Sequence, residues 1–151
     1  MAAGSVTVYT NAVLLMGEDT FNFSTDAYAY VLCTSSYTPA PNSDATYANV
    51  SSFELTTGGG YTSGGTALAG TSWTQSGATL TFTASNISYS SSTITAKYIV
   101  ILKQAGGSLV STDKLLAYCD LNSGGGSVSS SAGTFAITWN ASGIFTVTHS
   151  P

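Results

Sequence analysis

Thr79-Leu80-Thr81-Phe82-Thr83-Ala84 carries an apolar side chain at every second position, and that alternation decides the fold class. Successive side chains of an extended strand point to opposite faces, so a period of two marks a strand with one buried and one solvated face. Phe135, Ile137 and Trp139 repeat the pattern against Thr134, Ala136 and Thr138. Thr and Tyr suit a pleated, half-buried surface. A Ser- and Thr-rich linker or glycosylated stalk has no reason to alternate. The chain is therefore read as folded.

Working outward, other segments read as strands buried on both faces. Ala96-Lys97-Tyr98-Ile99-Val100-Ile101-Leu102 is nearly continuous apolar, and residues 27–34 and 115–119 are similar with smaller side chains on one face. Turn signals separate them: Gly106-Gly107, Asn122-Ser123-Gly124-Gly125-Gly126 and Asn140-Ala141-Ser142-Gly143. The spacing predicts two hairpins, one joining 135–139 to 144–148 and one joining 96–103 to 115–120. Tyr9, Val13 and Met16 fit helical spacing, with Gly17 as a stop, which predicts a short N-terminal helix over 6–16. A single helical turn is expected within 46–55. Short strands with frequent turns predict an all-β chain, an antiparallel β-sandwich of jelly-roll type, as one domain over residues 1–151.

The composition is unusual in its charge. Only 7% of the 151 residues are charged, against roughly 25% in ordinary soluble domains. Ser and Thr together make up roughly a third of the chain, so its polar surface is expected to be hydroxyls, amides and backbone. Such a surface carries little long-range repulsion between copies, which suits packing in an assembly. Three basic residues and a formal charge of −4 argue against nucleic acid, because each neutralised phosphate needs a cation. Anionic membrane surfaces are disfavoured for the same reason. The start, Met1-Ala2-Ala3-Gly4-Ser5-Val6, has neither the basic nor the long apolar region of a secretory signal. The apolar run 98–102 is too short to span a bilayer. Cys33 and Cys119 lie in strand-like runs without metal spacing, so both are expected as buried free thiols.

Catalysis needs convergent acids, bases or nucleophiles, and the sequence supplies few. The single histidine, His149, stands two residues from the end of the chain, and no G-x-S-x-G elbow is present. Glu18, Asp19, Asp26, Asp44, Glu54, Asp113 and Asp120 show no spacing that marks a glycosidase pair or a calcium loop. Gly58-Gly59-Gly60-Tyr61-Thr62-Ser63-Gly64-Gly65 lacks the Lys-Ser/Thr of a P-loop and reads as a tight surface loop with positive φ. Sequons begin at Asn22, Asn49, Asn86 and Asn140, as chance allows in a chain this rich in Ser and Thr. The expectation is a non-enzyme without cofactor or metal.

Tyrosines lean towards recognition, since Tyr offers large contact area with a hydrogen-bonding tip. Tyr28, Tyr30, Tyr98 and Tyr118 fall in strands and are expected in the core. Tyr37, Tyr47 and Tyr61 fall in loop-like stretches and are the interface candidates.

Four segments in order carry a resemblance. They are Leu32-Cys33-Thr34-Ser35-Ser36-Tyr37-Thr38-Pro39, Gly59 to Leu68, Thr95-Ala96-Lys97-Tyr98, and Trp139-Asn140-Ala141-Ser142-Gly143-Ile144. In this order and spacing the chain resembles a family of small proteins encoded among tailed-phage structural genes, from about Tyr9 onward. The resemblance implies a virion component assembled in the bacterial cytoplasm, with no catalytic residues to carry over. Its expected role is capsid decoration: a cement protein, trimeric, bound to the major capsid protein on the outside of the head. The alternative is a tail, neck or fibre-tip module, which could read host glycans through Trp73 or loop tyrosines. The chain departs from the family in the loop after Pro39, where Ala40-Pro41-Asn42 replaces acidic residues.

Overall fold

The computed structural model describes residues 4–150. The remaining four, Met1 to Ala3 and Pro151, lie outside the described part of the expected single domain. In chain order the elements are β1 (Val6–Val8), α1 (Thr10–Gly17), β2 (Ala27–Cys33), β3 (Thr66–Ala67), β4 (Ser72–Ser76), β5 (Thr79–Thr83), β6 (Ile87–Ser92), β7 (Thr95–Ala96), β8 (Tyr98–Gln104), β9 (Leu115–Asp120), β10 (Val128–Ser129), β11 (Gly133–Ile137) and β12 (Phe145–Thr148). Two 3-10 turns, Tyr47–Asn49 and Ser51–Phe53, fall where a helical turn was expected. Every named strand pairing is antiparallel. The protein is all-β with one short helix.

A five-stranded sheet, ordered β1-β9-β8-β2-β3, forms the centre. Directly paired residues share a face. Tyr28, Tyr30 and Leu32 therefore line one face with Ile99, Ile101, Ala117, Cys119, Val6 and Val8. That face meets a second β layer: Tyr28 packs edge-on against Phe82 of β5, centroids 5.1 Å apart, and the Tyr30 hydroxyl meets that of Tyr89 on β6 at 2.7 Å. The second layer is made of ribbons, β12-β5-β4 and β11-β6. The opposite face, carrying Val31, Cys33, Tyr98, Val100 and Tyr118, is covered by α1 and the segment 34–55. Tyr9 packs on Tyr118 there, and Tyr37 meets Tyr98 edge-on. With cover on both faces, β8 can be apolar throughout its middle, and Ile99, Val100, Ile101 and Leu102 are all buried.

The expected hairpin forms between residues 98–102 of β8 and 115–120 of β9, but its start differs, because Ala96 lies in β7 and pairs with Val128 of β10. The C-terminal hairpin does not form. Phe135 and Ile137 pair with Tyr89 and Ile87 of β6, whereas Phe145 to Thr148 pair with Phe82 to Thr79 of β5. The turn itself closes: Ser142 N–H donates to Asn140 Oδ1 at 2.8 Å and Gly143 N–H to the Asn140 carbonyl at 2.9 Å. It carries the chain from one ribbon to the other, because each strand finds a partner from the 79–92 stretch.

The N-terminal helix also differs from expectation. The β-branched residues Val6, Thr7 and Val8 form β1 against β9, and the helix begins only at Thr10. Gly17 is its last residue, and the Glu18 amide closes the end on the Leu15 carbonyl. The buried side chain of the helix is Ala12, while Val13 and Leu14 are 57% and 58% exposed. In the glycine loop, Gly58, Gly59, Gly60, Gly64 and Gly65 all take positive φ. Gly59 also lies so close to the Thr93 carbonyl that a Cβ would collide with it.

Candidate functional site

The three tyrosines singled out as interface candidates divide between two carboxylates, Tyr37 on Asp44 and Tyr47 with Tyr61 on Glu54, and two of the three are buried. Tyr37 and Tyr61 are each 2% exposed, and Tyr47 is half-buried. In this fold Tyr37 and Tyr61 have almost no surface to offer a partner. Their burial has a physical cause: the loop after β2 folds Tyr37 back onto Tyr98, and the glycine loop brings Tyr61 to the edge of β2.

Tyr37 follows β2 on a turn, its amide bonded to the Thr34 carbonyl, and its ring packs on Phe53 and Tyr98. Its hydroxyl donates to Asp44 Oδ2 at 2.8 Å and so accepts from Tyr9, whose hydroxyl lies 2.7 Å away. Asp44 Oδ2 also accepts the Ala40 amide at 3.0 Å. This chain of bonds ties α1, the loop 38–44 and the sheet together. Burial raises the pKa of both Tyr9 and Tyr37.

Glu54 organises the second group. Its Oε1 accepts the Tyr61 hydroxyl at 2.6 Å and the amides of Gly64 and Gly65 at 2.9 and 3.2 Å, while Oε2 accepts the Tyr47 hydroxyl. The Tyr61 hydroxyl in turn accepts the Leu32 amide at 3.2 Å. That amide lies on the edge of β2 beyond the reach of β3, which pairs only with Ala29 and Tyr30. A side chain thus takes the place of a missing strand. Burial raises the pKa of Tyr61 and Tyr47, with the Glu54 hydrogen bond acting in the same direction. Asp44 and Glu54 each lie seven residues from a tyrosine they hold. Pairing acids with tyrosines at that spacing is the signal that a separate inventory of each residue type misses.

The remaining ionic groups are also mostly spent inside the fold. Asp113, 3% exposed, accepts the Ala105 amide on Oδ1 and the Val110 amide on Oδ2, closing the β8–β9 loop. Lys97 pairs with Asp120 at 2.8 Å and donates to the carbonyls of Asn122 and Gly125, both at 2.7 Å. Lys103 pairs with Asp26 at 2.7 Å and donates to the Thr20 carbonyl. Glu18, Asp19 and His149 stand exposed and Lys114 half-buried. Among the described residues no three His, Cys, Asp or Glu side chains are grouped to hold a metal ion. Cys33 and Cys119 are free and buried on opposite faces of the central sheet, and burial pushes their thiols up to about 12 and about 11.

Trp73, considered as a sugar platform, is half-buried in an aromatic cluster, its ring 4.9 Å from Phe23 and 6.1 Å from Phe145. A cleft of about 560 Å³ opens between Gly4 and Val6 on one side and Trp139, Asn140 and Thr146 on the other. A shallower one of about 420 Å³ lies beside Tyr47, Glu54 and Ser63. No helix among the described residues is long and apolar enough to cross a membrane.

No family model, curated protein or solved structure matches this chain. Its function must be argued from its own residues.

Proposed function

We propose that this chain is a structural component of a tailed-phage particle, a decoration protein that binds the outside of the head and bridges capsid subunits. The observation that carries this reading is the use of charge. Of seven carboxylates, Asp26, Asp44, Glu54, Asp113 and Asp120 are tied to internal donors, and two of the three basic residues, Lys97 and Lys103, are tied to internal carboxylates and carbonyls. Apart from Glu18, Asp19, His149 and Lys114, the outer surface is left largely to hydroxyls, amides and a few apolar side chains. Such a surface suits neutral, hydrogen-bonded contact with neighbours rather than attraction of charged ligands. The family resemblance supports the same reading. Many modest contacts, repeated over a shell, add through multivalency.

The test is to wash purified particles with rising salt and count copies of the chain per particle. Decoration predicts copies in proportion to capsid subunits, retained at high ionic strength because apolar and neutral contacts are not screened. Release at moderate salt overturns the proposed mode of attachment. A count matching a neck or tail ring assigns the chain there instead.

A further inference from the structure

The ribbon β12-β5-β4 ends in an edge that neither charge nor proline protects. The register Phe145↔Phe82 to Thr148↔Thr79 continues to His149, whose N–H donates to the Ala78 carbonyl at 2.8 Å. Hydrogen-bonded pairs alternate along an antiparallel ladder. Phe145, Val147 and His149 therefore turn their amide groups to β5, and Thr146 and Thr148 turn theirs outward. Exposed edges are normally blunted by charge, proline, a bulge within the strand or a covering loop. Here Phe145-Thr146-Val147-Thr148 has no charged residue and no proline. Thr146, Val147 and Thr148 are all exposed, and among the described residues no backbone group outside β5 bonds to them.

The side chains add a second, independent observation. Val147 lies on the same face as Phe145, but beyond the aromatic cluster, and is 44% exposed beside the half-buried Leu80 opposite it. Thr146-Val147-Thr148 reads the same in both directions. Run antiparallel to itself about Val147, it sets Thr146 opposite Thr148 of the other copy, and each such pair exchanges two backbone bonds through groups that are now unpaired. Val147 then meets Val147 of the second copy as a non-hydrogen-bonded pair, where side chains come closest. The unpaired amides and the uncovered apolar residue are satisfied by one operation.

We propose that β12 pairs with β12 of a second copy across a two-fold axis at Val147, joining two ribbons into one six-stranded sheet. A two-fold is closed and self-complementary, so the contact makes a dimer and no larger array. An axis at Thr146 is less suitable, because it needs the Ile144 amide, which already donates to the Phe82 carbonyl at 2.8 Å. The other edge of the ribbon, β4, directs the groups of Trp73 and Gln75 outward by the same alternation, and self-pairing there sets Trp against Gln. Within the strand charge adds no obstacle: Phe145-Thr146-Val147-Thr148 has no titratable side chain. The inference stands apart from the phage assignment and fails separately from it.

The test is sedimentation equilibrium of the purified chain, with Thr146→Pro and Val147→Lys. Proline at 146 removes an outward N–H and leaves the bonds to β5 in place. Lysine at 147 guards the edge as natural edge strands do. The wild type is expected as a dimer, and both variants as monomers at concentrations where the wild type is dimeric, with unchanged near-ultraviolet circular dichroism. Hydrogen exchange provides a variant-free measure: the Thr146 and Thr148 amides become protected as concentration rises through the dimer range. A monomeric or trimeric wild type, folded variants that dimerise as the wild type does, or unprotected Thr146 and Thr148 amides in the dimer would each overturn the proposal.

Discussion

Replacing Glu54 by Ala tests whether this half-buried carboxylate holds two loops to the edge of the central sheet. Four donors converge on it: the hydroxyls of Tyr47 and Tyr61 and the amides of Gly64 and Gly65. A hydrogen bond to a charged acceptor contributes about 1.5–3 kcal/mol. Water can replace the carboxylate at exposed Gly64, and the exposure of Glu54 itself screens part of the gain. The tyrosine hydroxyls are less accessible, Tyr61 being 2% exposed. Counting those two bonds alone, the expected loss is about 3–5 kcal/mol, or a fall in Tm of about 6–20 °C for a chain of this length. Urea unfolding followed by tyrosine and tryptophan fluorescence measures it. Glu54→Gln keeps the shape and some partners and should lose only about 1–2 kcal/mol. Exposed Glu18, changed to Ala, should leave the midpoint unmoved. Tyr61→Phe should cost much less in the Glu54→Ala background than in the wild type, because the two act through one bond. A Glu54→Ala variant within about 1 kcal/mol of wild type, or full additivity with Tyr61→Phe, refutes the staple.

Three further outcomes follow from burial. Tyr9, Tyr28, Tyr30, Tyr37, Tyr47 and Tyr61 all have pKa values raised above 10.0, chiefly by desolvation. The unfolded chain therefore releases these protons first as pH rises, so their contribution is intact below about 10 and stability falls above it; phenolate absorbance should show them titrating only as the chain unfolds. Cys33 and Cys119, pushed up to about 12 and about 11, should resist disulfide exchange reagents near neutral pH in the native state and react once denatured, which a thiol assay with and without urea checks. The Tyr28 hydroxyl is buried with no hydrogen-bond partner among the described residues, so Tyr28→Phe should raise stability by about 1 kcal/mol, the cost of an unsatisfied buried polar group, as read from the urea midpoint; a loss would show that the hydroxyl has a partner.

Their loop-like stretches pointed to Tyr37, Tyr47 and Tyr61 as interface candidates, because loop-like sequence around a tyrosine reads as exposure. Composition around a residue does not reveal which way its loop folds. Asp44 and Glu54 draw these loops inward, and that attraction acts between groups whose mutual geometry no local pattern specifies. The unguarded edge at Thr146 to Thr148 was likewise visible only once β12 had one partner and lacked a second.

What the sequence determined by itself was local and periodic. Alternation in Thr79 to Ala84 made strand, continuous apolarity in Tyr98 to Leu102 made a strand covered on both faces, and scarce charge made an exterior poor in ions. These properties follow from each residue's own side chain and its immediate neighbours. Beyond the β8–β9 hairpin, tertiary structure alone decided which strands pair. Backbone amides are the same in every strand, so Phe135 to Trp139 and Ile144 to Thr148 carry nothing local to choose each other over β6 and β5. Val6 to Val8 could be helix by spacing, yet form a strand because the edge of β9 offers partners. The choice rests on burial and hydrogen bonding between segments far apart in the chain, which is why it appears only in the fold.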